Sequence, residues 1–175
     1  MLFRSMFLVL TPEQDRHHIA PLLARAGIAP ADVRFHACPH GEVVDHLCAA
    51  DLGLLLRDRH LMNEVAAPGK FAEYTLSGLP LLTTRGIGDF SAQLEGSPFA
   101  CVLPVLTDMA ANDEAIRRLC LRDFTTDERA SFSRWSAERF ATERYLPLLA
   151  DLYRDRKSTR LNSSHIQKSR MPSSA

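Results

Sequence analysis

Residues 52–56 read LGLLL, an apolar run too short for a helix and without alternation. Such a run suits a strand buried on both faces, which is the environment of a central parallel strand covered by helices above and below. Once one strand is of this kind, the segments around it have to supply both layers. Short apolar runs recur at 6–10 (MFLVL), 33–37 (VRFHA), 80–84 (PLLTT) and 99–103 (FACVL). Helical patterns stand between and after them. Thr11-Pro12-Glu13 opens a helix holding Ile19, Leu22 and Leu23, which Pro21 should kink or delay. Residues 41–49 place Val43, Val44, Leu47 and Cys48 on one face of a short helix. Pro68-Gly69 opens a helix over 68–77 that Gly78 closes. Residues 110–121 are helical, and Thr125-x-x-Glu128 is a capping box for a long helix carrying Phe132, Trp135 and Phe140. Pro147 should interrupt it before 148–153. Strands alternating with helices predict an α/β protein with a doubly wound parallel sheet, whose ligand sits at the C-terminal strand ends.

Composition agrees with a folded domain. The chain has 175 residues, 46% hydrophobic and 24% charged, enough for one core. Its formal net charge of zero hides an asymmetry. Lys157, Arg160, Lys168 and Arg170 fall in a terminal stretch that has no acidic residue, which leaves residues 1–156 at about −4. A body of that sign does not suggest nucleic-acid binding. Residues 157–175 (KSTRLNSSHIQKSRMPSSA) show no apolar period and read as a disordered tail; the stretch also resembles translated sequencing-adapter read-through. The domain therefore covers 1–156. The apolar start, 1–10, is too short to span a bilayer, so no membrane segment is expected. Cys38, Cys48, Cys101 and Cys120 form no Cys-x-x-Cys pair and read as reduced core residues of a cytoplasmic protein.

The candidate chemistry lies in residues 49–89. Arg57 ends the 52–56 strand and puts a guanidinium at the ligand edge. A polar loop carrying Asn63 follows, then the helix that begins at Pro68-Gly69. Proline has no N–H, and glycine lets a ligand approach the backbone closely. The free amides and positive dipole end of that helix form a phosphate site. Lys70 in its first turn can neutralise a diphosphate. Glu73, one turn on, can accept hydrogen bonds from ribose hydroxyls. The competing reading is a solvated Lys–Glu pair worth a few tenths of a kcal/mol. Gly86-x-Gly88 lacks the third glycine of a dinucleotide loop, since position 91 is Ser, and reads as a tight loop beside the ligand. His36, Cys38, His40, His46 and Cys48 are metal-ligand types, but their convergence does not follow from the sequence, and ordinary His and Cys residues are the expectation. Phe132, Trp135, Phe140 and Tyr145 read as helix packing.

The run Pro68-x-Lys70-Phe71-x-Glu73-Tyr74-x-x-x-Gly78-Leu79-Pro80 resembles the donor-site signature of family 4 ("group 1") glycosyltransferases of the GT-B fold. Ala50-Asp51-Leu52-Gly53-Leu54-Leu55-Leu56 and Gly86-Ile87-Gly88-Asp89 match in order and spacing. This resemblance implies one Rossmann-like lobe of a GT-B enzyme, with helices on both faces of its sheet and further C-terminal helices. It implies transfer of a sugar, of hexosyltransferase type and with retention, from a nucleotide-diphosphate donor and without a required metal or other cofactor. Arg57, Asn63, Gly69, Lys70, Phe71 and Glu73 form the implied donor set, with Glu73 on the ribose and Gly69–Lys70 at the diphosphate. No catalytic residue is assigned. Val65 stands where many members carry a first Glu, and Ala67 where a Ser often precedes the proline; Pro-x-Lys does occur in the family. The implied partners are a nucleotide sugar and an acceptor-binding lobe missing from this chain, along with the donor lobe's first strand and helix. The fragment would then not turn over alone, and its full-length parent would be cytoplasmic or membrane-peripheral. Alternatives are a nucleotide-sugar epimerase lobe and a non-enzymatic flavodoxin-like binding domain. A receiver domain is disfavoured, because Arg57 stands where it would need an Asp.

Overall fold

The computed structural model describes residues 5–168. β1 (Phe7–Leu10) and β2 (Val33–His36) pair in parallel, Phe7 opposite Val33 and Leu10 opposite His36. α1 (Arg16–Arg25) connects them after a 3-10 turn at Glu13–Asp15, so it starts later than Pro12 suggests and keeps Pro21 inside. α2 (Val43–Ala49) leads from β2 toward β3 (Gly53–Leu55). Of its expected apolar face only Leu47 is buried, while Val44 and Cys48 are exposed.

β3 begins a second parallel sheet, ordered β3-β4-β5, with β4 at Leu81–Thr84 and β5 at Ala100–Leu103. Leu54 lies opposite Leu82, and Leu82 opposite Cys101. Between β3 and β4 come α3 (Leu61–Glu64) and α4 (Gly69–Leu76); between β4 and β5 there is a 3-10 turn at Ser91–Leu94. α5 (Asp113–Cys120), α6 (Thr126–Phe140) and α7 (Thr142–Lys168) complete the order. The protein is thus α/β with parallel strands in two small sheets, where the sequence predicts one. Among the described residues no strand pairs with both β1 and β3, so the two sheets are not joined by a strand.

The core is built on β4, all four of whose residues are buried. Leu55, Phe71, Leu81, Ile87, Leu94 and Phe132 pack on one face of this sheet, bringing α4 and α6 onto it. Leu82, Cys101, Leu103 and Leu119 pack on the other, with α5. Burying a side chain such as Phe71 contributes about 1.5–3 kcal/mol. Polar pairs set the α4–α6 contact: Thr75 Oγ1 and Ser136 Oγ lie 2.6 Å apart, and Ser133 Oγ donates to the Leu76 carbonyl at 2.6 Å. Gly78 ends α4 at φ +65°, where a Cβ would stand 2.9 Å from the Arg129 carbonyl carbon, so a side chain there meets both strain and backbone. The capping box of α6 forms as its sequence demands.

The C-terminal helices differ from expectation in two places. The break falls at Ala141, which is extended (φ −64°, ψ 132°), and Pro147 lies inside α7. Helix α7 also continues through 157–168, where disorder is expected; no Gly or Pro interrupts 148–168, and Leu, Lys, Arg and Gln are good helix formers. The remainder of the expected tail, 169–175, lies outside the described residues. Phe132, Trp135 and Phe140 pack as expected, whereas Tyr145 is exposed. The cysteines are free thiols, but only Cys101 is a core residue; Cys38 is half-buried, and Cys48 and Cys120 are exposed. No helix among the described residues is long and apolar enough to cross a membrane.

Candidate functional site

The ends of β3 and β4 are tied together where a parallel sheet presents its ligand edge. The Arg57 amide donates to Thr84 Oγ1 at 3.0 Å, and the Thr84 hydroxyl donates back to the Arg57 carbonyl at 2.8 Å. This reciprocal pair fixes the backbone at which the Arg57 side chain departs. Its Nη1 donates to Asn63 Oδ1 at 3.0 Å, and Asn63 Nδ2 donates to the Asp58 carbonyl at 2.8 Å. Asn63 thus folds the 57–63 loop on itself, and its own carbonyl accepts the Gly88 amide at 2.9 Å. Gly88, at φ +50°, packs against the Ala66 carbonyl, leaving no room for a Cβ. The loops after β3 and β4 are therefore one hydrogen-bonded unit, which leads directly into α4.

α4 begins without a side-chain cap, because its N-cap is Pro68. The Phe71 amide is satisfied by the Pro68 carbonyl at 3.0 Å. The Gly69 and Lys70 amides have no acceptor among the described residues, which leaves two donors at the positive end of the helix dipole. Both residues are exposed. Glu73 is half-buried, and its Oε1 lies 3.9 Å from where a Cβ on Gly69 would stand, so the carboxylate folds back toward the helix start. No ion pair within 4 Å joins Lys70 to Glu73 among the described residues. The Tyr74 phenol is pushed up by burial, and secondly by the Glu73 carboxylate beside it.

Of the six residues, Gly69, Lys70 and Glu73 cluster at the start of α4, and Arg57 and Asn63 bond to each other at the end of β3. Phe71 is different. Its side chain is 1% exposed, and its ring centroid lies 5.1 and 5.4 Å from those of Phe90 and Phe140, so the ring holds α4 on the core and is turned away from the exposed helix start. Thr84 pins Arg57 and carries no sequence signal beyond its place at the end of β4, whereas Gly88, which bonds Asn63, belongs to the Gly-x-Gly loop expected beside the ligand. Val65 is 73% exposed beside this edge and offers no polar group to a ligand. Two surface grooves are lined by residues outside the start of α4. One is lined by Ala20, Leu23 and Phe35, the other by Asp89, Gln93, Arg139 and Tyr145. No protein-family model, curated protein or solved structure matches the chain at a significant level.

Proposed function

We propose that the chain is the nucleotide-sugar-binding lobe of a GT-B glycosyltransferase of the family 4 type. The observation that carries this reading is the start of α4: two exposed amides without acceptors, the Lys70 ammonium, and the Glu73 carboxylate turned toward Gly69. A diphosphate there accepts from the Gly69 and Lys70 amides and is neutralised by Lys70. Glu73 accepts from ribose hydroxyls, and the Arg57–Asn63 pair stiffens the loop beside them. As the sugar departs, charge grows on the diphosphate, and fixed donors at that point stabilise it. Acceptor-side groups come from the second lobe, so the fragment binds the donor without turning it over.

The two sheets fit the same proposal. One further parallel strand between β1 and β3 would join the five in the order β2-β1-x-β3-β4-β5, the dinucleotide-fold order 3-2-1-4-5-6 with its first strand supplied by another segment. Exposed Phe7, Leu8 and Leu54 on those two strands support that arrangement. A calorimetric titration with UDP, GDP and ADP tests the site: saturable one-to-one binding of at least one is expected, and no heat from a folded sample with any of them overturns it.

A further inference from the structure

A second cluster lies away from α4, on the β1–β2 side of the molecule. The ligand atoms of His36, Cys38 and His46 all fall within 4.8 Å of one another. The His36 and His46 rings meet edge to face, with centroids 4.7 Å apart. The backbone holds this arrangement in place. His36 ends β2 opposite Leu10, and its carbonyl accepts the Thr11 amide at 3.1 Å. Pro39 and the 3-10 turn His40–Glu42 then reverse the chain, so that α2 brings His46 back over Cys38. His40 and Cys48, the other two residues of the sequence motif, stay outside the cluster. Among the described residues, no hydrogen bond or ion pair engages the three side chains, and Cys38 is a free thiol.

We infer that His36, Cys38 and His46 form a binding site for a zinc-type divalent cation. Two imidazoles and one thiolate are a borderline-soft donor set, which selects zinc over magnesium or calcium. Tetrahedral zinc with bonds of about 2.0–2.3 Å needs ligand atoms about 3.3–3.6 Å apart, so rotamer adjustments of roughly an ångström close the site. Three protein ligands leave the fourth position to water or to a small anionic ligand. Binding deprotonates the Cys38 thiol and releases that proton to solvent. The site is independent of the nucleotide reading, since it shares no residue with α4.

Titration of the reduced full chain with Co²⁺ tests it. The expected result is a saturable one-to-one complex with a near-ultraviolet thiolate-to-cobalt band and visible tetrahedral bands, bleached by one equivalent of Zn²⁺. Cys38→Ser should abolish the near-ultraviolet band. His46→Gln should weaken Co²⁺ at least tenfold, and it reads the site if far-ultraviolet dichroism shows that Cys38→Ser does not fold. The exposed pair His17 and His18 on α1, with ring centroids 3.8 Å apart, is the competing site. The double variant His17→Gln/His18→Gln should leave the spectrum unchanged. Failure to saturate, a complex without the thiolate band, or its loss in the His17/His18 variant would overturn the inference.

Discussion

The first fifty residues and residues 53–140 use the same parts, short parallel strands with helices between them, yet they bury them very differently. In the first region Leu47 is the one fully buried hydrophobic side chain among the described residues, α1 buries none, and Met6, Phe7 and Leu8 are exposed. In the second, Leu55, Phe71, Leu81, Leu103 and Phe132 are all at 5% exposure or less, and the sheet is covered on both faces. Pairing two strands takes only one neighbour, whereas a core takes a layer on each face. β1 has the apolar character of a central strand and the surroundings of an edge.

Substitution should separate the regions, with the largest effect in the second. Phe71→Ala removes a ring from a close-packed cluster and should cost about 3–5 kcal/mol in urea unfolding. Leu22→Ala, on the exposed flank of α1, should stay within about 0.5 kcal/mol. Similar costs at the two positions would break the comparison.

A smaller effect should appear in pH dependence, at the start of α6. The Glu128 carboxyl is held below its ordinary value, mainly by the Thr125 amide, then by Arg122 and the Thr125 hydroxyl. A carboxylate depressed in the folded state stabilises above its unfolded pKa, about 4.3, and that contribution is lost as pH falls through the folded value. The melting-temperature gap between the protein and Glu128→Gln, which cannot titrate, should therefore be widest near neutrality and shrink below pH 4. A gap that does not change with pH would remove Glu128 from the account of this helix start.

Local signals carried much of this structure. All five strands stand within the apolar runs that announce them, Gly78 ends α4, and Thr125 and Glu128 form their box. What the sequence hid depends on distant partners or uncommon caps. α3 starts at His60, whose Nδ1 accepts the Met62 amide, and histidine is not a usual N-cap signal. Phe71 matches the donor motif by spacing, but only tertiary packing reveals that its ring faces the core. The meeting of His36, Cys38 and His46 depends on the turn at 39–42, which ligand spacing alone does not specify. Strand pairing is likewise non-local, so the division into two sheets could not be read from any one segment.

The nucleotide-diphosphate proposal for the start of α4 can be tested by calorimetry over a ligand series from nucleoside to diphosphate. Glu73→Gln keeps a good helix former but removes a charge and an acceptor. Hydrogen bonds to a charged group are worth about 1.5–3 kcal/mol, so every ribose-containing ligand should bind roughly ten- to a hundredfold more weakly. Lys70→Gln should weaken the diphosphate and leave the nucleoside nearly unaffected, because its partner is the phosphate. That opposite dependence on the ligand's phosphates is expected if α4 opens on a diphosphate. Unchanged diphosphate affinity in both folded variants would contradict it and leave Lys70 and Glu73 as part of a solvated helix face.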